Sequence, residues 1–111
     1  MKTSQTISAL SALAHEHRLA IYRLLVQAGP EGKAAGDIAE ALAVPPSSLS
    51  FHVANLNRAG LITQRRESRS LIYAADFEQM NALVGFLTEN CCGGRSCAPV
   101  AATTQPKRKK A

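Results

Sequence analysis

The stretch that decides the fold of this 111-residue chain is Val44-Pro-Pro-Ser-Ser-Leu-Ser-Phe-His-Val-Ala-Asn-Leu-Asn-Arg-Ala-Gly-Leu-Ile62. Pro46 suits the first position of a helix, because the N–H that proline lacks would have no partner there. Leu49, Val53 and Leu56 follow at helical spacing and form one apolar stripe. The stretch therefore predicts a helix with one buried face.

The opposite face of this helix is polar but carries no carboxylate. Its residues are Ser47, Ser48, Phe51, Asn55 and Arg58. An ordinary solvated face mixes both signs of charge. Hydroxyls, an amide, an exposed Phe and an Arg can instead contact base edges, thymine methyls and phosphates. The face is either an ordinary surface or a DNA-reading surface, and the neighbouring segments decide between them.

The segments before this helix supply the rest of a helix-turn-helix unit. Apolar spacing predicts helices over about 4–14, 17–28 and 35–43, with a loop at Gly29-Pro-Glu-Gly32. The third helix is short, and the turn at Val44-Pro45 leads directly into the fourth. A short helix, a tight turn and a helix with a polar outer face form a helix-turn-helix arrangement.

After Gly60, which is placed to end the helix, the pattern changes to strands. Residues 61–66 and 70–74 predict a β-hairpin that turns through 67–69. The arginines Arg65, Arg66 and Arg69 cluster at its tip. One interpretation is a charged edge that prevents aggregation. Beside a recognition helix, the same basic tip suits contact with phosphates or the minor groove.

The last predicted helix begins after Asp76, a suitable N-cap, and runs to about Asn90. It carries an apolar stripe formed by Phe77, Met80, Leu83, Val84 and Leu87. A small helix-turn-helix protein usually needs two copies to span a DNA site. We therefore expect the first and last helices to form a homodimer interface. The alternative is that the stripe packs within its own domain.

Composition and charge indicate one globular domain over residues 1–97 and a disordered basic tail over 98–111. The chain is 46% apolar, has no apolar run of membrane-spanning length and lacks a signal peptide at its N-terminus, so we expect a cytoplasmic protein with no membrane partner. Residues 107–110 supply four of its five net positive charges. DNA binding is therefore inferred from the position of the charged residues in the domain and not from the net charge of the chain. The basic tail adds either nonspecific affinity for DNA or only solubility.

Three segments together resemble the ArsR/SmtB family of dimeric winged-helix repressors. The segment similar to the family's second helix is Leu13-Ala-His-Glu-His-Arg-Leu-Ala-Ile-Tyr-Arg-Leu-Leu25. The segment similar to its recognition helix is Ser47-Ser-Leu-Ser-Phe-His-Val-Ala-Asn-Leu-Asn-Arg-Ala-Gly-Leu61. The segment similar to its wing is Arg65-Arg-Glu-Ser-Arg69. The resemblance covers about residues 7–87. Two departures are Pro45 in place of the usual Ser or Thr cap, and Ser68 in place of the usual wing Gly.

The resemblance implies a mainly α fold with a small β-hairpin, a dimeric winged helix-turn-helix, bound to double-stranded operator DNA. It also places a set of residues where the family contacts bases and phosphates, namely Ser47, Ser48, Ser50, Phe51 and His52.

All three cysteines lie in the segment Cys91-Cys92-Gly93-Gly94-Arg95-Ser96-Cys97. Adjacent thiols do not pair easily with each other, and the two glycines allow the chain to fold back and bring Cys97 near the pair. Three thiolates select a soft ion, whereas a closed zinc site wants four ligands. Because trivalent arsenic or antimony needs only three, the cysteines predict an As(III) or Sb(III) site with no organic cofactor.

The resemblance supports this site by elimination of two other inducer sites of the family. The segment 34–40 on the third helix has no cysteine, and residues 76–89 have no histidine. A C-terminal cysteine cluster resembles a subgroup that senses arsenite or methylarsenite. The alternatives are a thiol redox switch, a Cd(II) or Pb(II) sensor, or incidental thiols.

Other roles are less consistent with the sequence. His15, His17 and His52 share no helical face with one another or with the cysteines, so we interpret them as structural or DNA-contacting residues. An enzyme is not expected, because the thiols sit in a glycine turn with no Cys-x-x-Cys motif in a βαβ unit. A DNA-binding or architectural protein with no inducer is the stronger rival.

Overall fold

The structure, a computed structural model, describes residues 1–94. Within that range the helices are α1 (Thr3–Leu13), α2 (Glu16–Ala28), α3 (Ala35–Leu42), α4 (Pro46–Arg58) and α5 (Phe77–Leu87). The strands are β1 (Lys33–Ala34), β2 (Ile62–Glu67) and β3 (Ser70–Ala75). The predicted fold class, mainly α with a small β-hairpin, is confirmed. Cys97 and the predicted tail over 98–111 lie outside the described residues.

The hairpin belongs to a three-stranded antiparallel sheet in the order β1-β3-β2. Tyr73 on the central strand pairs with Lys33 on one side and Gln64 on the other. Strand β1 was not predicted, because two residues are too few to show an alternating pattern. Gly32 brings the chain into β1 with a φ of +73°, and a Cβ at this position would run into the carbonyl of Tyr73.

The turn between α3 and α4 is closed by backbone hydrogen bonds. Ala43 has a left-handed φ of +54°, which lets the Val44 N–H donate to the Ala39 carbonyl at 3.0 Å. Val44 is buried, so the turn is also anchored in the core. Helix α4 then begins at Pro46 as predicted, and no side chain caps it. Proline at this first position lacks an N–H that would have no partner within the helix.

The core lies between α2, α3, α4 and the start of β2. Its largest fully buried side chains are Ile21, Leu25, Ile38, Leu56 and Leu61. The predicted stripe of α4 is confirmed, because Leu49, Val53 and Leu56 are all buried. This packing fixes which side of α4 faces outward.

Helix α1 buries small residues and exposes large ones. Ala9 and Ala12 pack inward, whereas Ile7 and Leu10 are exposed. The apolar stripe predicted on α5 divides in the same way, with Leu83 buried but Val84 and Leu87 exposed. Both helices thus keep apolar surface that is exposed within residues 1–94.

Helix α5 ends at Leu87, three residues before the predicted end near Asn90. The hydroxyl of Thr88 donates to the Val84 carbonyl at 2.9 Å. Asn90 has a φ of +58°, which a continuing right-handed helix does not allow. None of the helices described in residues 1–94 is both long enough and apolar enough to span a bilayer.

Candidate nucleic-acid interface and thiol segment

The outward face of α4 is centred on Phe51. This side chain is 63% exposed, an unusual position for a large aromatic ring. Ser47 and Ser50 are also exposed, and Ser48 is half-buried on one flank. The face therefore offers hydroxyls and one apolar ring, which are suited to phosphates, base edges and thymine methyls.

Asn55 and Arg58 lie toward the flank of α4 that faces α1 and α2. The Asn55 side-chain amide donates to the Phe51 carbonyl at 3.0 Å, and Arg58 Nη1 donates to Asn55 Oδ1 at 3.3 Å. With Ser8, Ser11 and Arg18 they line an open cavity of about 270 Å³. Asn55 thus holds Arg58, whose side chain is exposed on this flank.

His52 does not fit the predicted contact with DNA. It is only 7% exposed and lies on the inner side of α4, next to the core residue Val53. Its ring packs 4.7 Å from His15 and 5.5 Å from His17, centroid to centroid. The His52 ring is therefore not exposed on the outward face of α4 in this structure, and it packs against the start of α2.

The rings of His15, His17 and His52 lie close together in the structure. They share no helical face, but α2 packs against α4 and brings its first turn over His52. No spacing rule links residues on two different helices, so this contact has no local signal in the sequence. Burial lowers the pKa of His52, and the nearby His15, Arg18 and His17 lower it further.

The three wing arginines do not form one cluster, because successive strand residues point to opposite faces. Arg65 Nε lies 2.8 Å from Glu67 Oε2, and its Nη2 donates to the Glu31 carbonyl at 2.8 Å. Arg66 and Arg69 instead line a cavity of about 360 Å³ at the start of α3. Two of the three arginines are therefore without a carboxylate partner within residues 1–94.

The wing turns through Ser68 and Arg69, since Glu67 pairs with Ser70 across the hairpin. Ser68 has a φ of +55°, in the left-handed region that glycine adopts most easily. The departure noted in the sequence thus leaves the hairpin intact, but with a strained residue at its tip.

The thiol segment follows α5 directly. Residues Cys91–Gly94 form a short turn in which Cys92, Gly93 and Gly94 all have positive φ. Cys91 is a free, half-buried thiol, whereas Cys92 is disulfide-bonded. Within residues 1–94, no group of three His, Cys, Asp or Glu side chains is arranged to hold a metal ion. The predicted site also includes Cys97, which lies outside this range.

Comparison with known proteins places this fold in a family. Residues 13–65 match the family of helix-turn-helix domains designated HTH_20. The HTH-type transcriptional regulator YgaV of Escherichia coli K12 is 30% identical over 88 residues, which cover 79% of this chain and 87% of that protein.

Two solved structures share the architecture. Reduced HlyU from Vibrio cholerae superimposes with a TM-score of 0.64 at 28% identity, over 81% of this chain and 92% of that one. The homodimeric winged helix-turn-helix domain of Mb0332 from Mycobacterium bovis, a possible ArsR-family regulator, has a TM-score of 0.62 at 26% identity, over 86% and 89%. The wing, the buried stripe of α4 and these likenesses agree, and the chain belongs to the ArsR-type winged helix-turn-helix family of DNA-binding transcriptional regulators.

Proposed function

We propose that this protein is a repressor that binds operator DNA as a homodimer and is released when trivalent arsenic is bound by Cys91, Cys92 and Cys97. Antimony(III) and methylarsenite have the same three-thiolate chemistry and are included in the proposal. The single observation that carries it is the placement of all three cysteines of the chain just after α5.

The DNA-binding part of the proposal rests on α4 and the wing. Phe51 and the serines beside it form an exposed face with no carboxylate, and Arg66 and Arg69 lie at the wing. Base edges and thymine methyls are contacted from α4, while the wing arginines contact phosphates. Sequence preference then comes from α4, and the salt-dependent part of the affinity comes from the wing.

The homodimer part rests on the uncovered apolar surface of α1 and α5. These two helices contact each other in the chain, and each exposes two large apolar residues, which are Ile7, Leu10, Val84 and Leu87. A symmetric dimer buries the same surface from both copies. The homodimeric state of the Mb0332 domain supports this arrangement.

The inducer part rests on the position of the thiols relative to that interface. Cys91 begins four residues after Leu87, so a ligand bound there lies next to the proposed dimer surface. Drawing three sulfurs onto one centre orders this segment and shifts α5 against its partner. The spacing of the two recognition helices then no longer matches the half-sites of the operator. A typical coupling free energy of about 1–3 kcal/mol between inducer binding and DNA binding suffices for release.

A second candidate is a regulator that responds to thiol oxidation. The disulfide at Cys92 favours it, and HlyU, a relative of this chain, has been solved in a form described as reduced. HlyU of Vibrio cholerae is also named a transcriptional activator. In this candidate, oxidation of the thiols, and not binding of arsenic, changes the affinity for DNA. A response to Cd(II) or Pb(II) is a further form of thiol sensing.

The test is fluorescence anisotropy of the fully reduced protein on its own upstream DNA, titrated separately with arsenite, zinc and a mild oxidant. Reduction comes first, because a disulfide sulfur is not available as a thiolate ligand. We expect release by arsenite at a concentration where zinc has no effect.

Cys91→Ser and Cys97→Ser should each remove the arsenite response, and Ser96→Ala serves as a control in the same segment. An arsenite response that survives both cysteine substitutions contradicts the proposal. Release by oxidant alone establishes the redox candidate in its place.

A further inference from the structure

His15, His17 and His52 form a three-histidine cluster at the junction of α2 and α4. The centroids of the three rings are 4.7, 5.5 and 5.7 Å apart. These are the only histidines in the chain. His52 belongs to α4 itself, and its ring lies 5.7 Å from the Phe51 ring on the outward face of that helix.

The structural role of His15 depends on the lone pair of one ring nitrogen. His15 is the N-cap of α2, and its Nδ1 accepts the backbone N–H of His17 at 3.1 Å. A protonated imidazole carries hydrogen on both nitrogens and has no acceptor left. The cap of α2, the helix against which α4 packs, therefore uses the Nδ1 lone pair of a neutral imidazole.

A second member is buried with no place for a charge. His52 is buried, and its Nδ1 has no hydrogen-bond partner within residues 1–94. The groups acting on it are His15, His17 and Arg18, none of which is acidic. The Arg18 charge is held in place, because its Nε donates to the Ala12 carbonyl at 2.7 Å.

The other elements packed against α4 do not offset the positive charge around His52. Helix α1 contains no titratable side chain. Helix α3 carries Asp37 and Glu40, and strand β2 carries Arg65, Arg66 and Glu67, but none of these perturbs His52. On α2, Glu16 lies between His15 and His17, but it is likewise not among the groups that act on His52. A proton on His52 therefore meets positive neighbours.

We propose that the three-histidine cluster makes DNA binding sensitive to mild acid, because its protonation loosens the packing of α4 on α2. The recognition helix then loses its fixed orientation, and affinity for DNA falls. The ligand of this cluster is the proton itself. The inference requires only that the chain bind DNA and does not involve the thiol segment.

The direction of the pH effect follows from His52. Its pKa is below the ordinary value of 6.5, because burial and the nearby positive groups disfavour the charged form. The loosened state therefore takes up the proton more readily than the packed state. Tight packing is fully favoured above pH 6.5 and is progressively lost as the pH falls through and below that value.

This direction is opposite to that of a simple phosphate contact. A histidine that only touches the DNA backbone gains charge in acid, which strengthens binding. The sign of the pH dependence thus distinguishes the two roles.

The experiment is fluorescence anisotropy on the same upstream DNA at constant ionic strength, from pH 7.5 to 5.5, with reduced protein and no arsenite. We expect the wild-type Kd to rise about fivefold or more, which is the lower end of typical coupling between sites. Circular dichroism at each pH shows that the helices remain formed. A wild-type Kd that stays constant or falls in acid overturns the proposal.

Two variants assign the effect to the cluster, and the readout is the ratio of Kd values at the two pH limits. His15→Asn/His17→Asn keeps a capping side chain that does not titrate, and we expect a smaller ratio than in the wild type. Adding His52→Gln removes every histidine, and we expect a ratio near one.

Should the triple variant not fold, an NMR titration of the His52 ring in the wild type serves instead. Its midpoint must coincide with the midpoint of the affinity loss. A full pH response in the histidine-free chain, or a mismatch of the two midpoints, overturns the proposal.

Discussion

Replacement of Leu87 by alanine tests whether α5 forms a homodimer interface. Leu87 is 58% exposed at the end of α5 in the single chain. Full burial of a leucine side chain is worth about 1.5–3 kcal/mol, so a partner that covers the exposed fraction contributes about 1 kcal/mol per copy. A symmetric dimer contains two copies. Leu87→Ala should therefore destabilise the dimer by about 2 kcal/mol, which weakens its Kd about 30-fold.

The assay is sedimentation velocity over a concentration series, with circular dichroism to show that the monomer fold is retained. The matched control is Leu19→Ala, because Leu19 is a similarly exposed leucine, at 45%, on α2. We expect wild-type dimerisation for this control. Equal dimerisation constants for the two variants would refute the assignment of the interface to α1 and α5.

Two further predictions concern stability. Tyr22→Phe should leave the free energy of unfolding unchanged or raise it by about 1 kcal/mol, because the buried Tyr22 hydroxyl has no partner within residues 1–94. The measurement is a thermal melt. A clear loss of stability would mean that this hydroxyl is hydrogen-bonded in the folded protein. Ser68→Gly should stabilise the protein by about 1 kcal/mol in urea denaturation, because glycine adopts the left-handed φ of +55° at the wing tip without steric strain. A less stable variant would show that the turn adopts another conformation.

Much of the candidate DNA interface was predictable from local pattern. The apolar spacing of Leu49, Val53 and Leu56 identified the buried side of α4, and the side opposite was therefore the outer face. Asp76 also caps α5 as predicted, since its Oδ1 accepts the Gln79 N–H at 3.1 Å. Such signals are readable because they act between residues within one or two helical turns.

The expectation that the resemblance supplied for His52, a contact with DNA, does not agree with the burial of this side chain. His52 follows Phe51 in the chain, yet one ring is buried and the other is exposed. The resemblance grouped them, although His52 lies three residues after Leu49 and four before Leu56, on the buried face of α4. The wing arginines behaved similarly, because the pairing of Arg65 with Glu67 depends on which face each strand residue occupies.

The sequence by itself determined the helices, the hairpin, the helix-turn-helix order and the grouping of three cysteines after α5. Each follows from spacing or turn chemistry that acts over a few residues. Only the tertiary structure decided that β1 joins the sheet, that α1 and α5 expose large apolar residues within residues 1–94, and that the histidines at the start of α2 meet His52 of α4. These depend on which faces of distant elements pack together, because burial is a property of the assembled fold and not of any single segment.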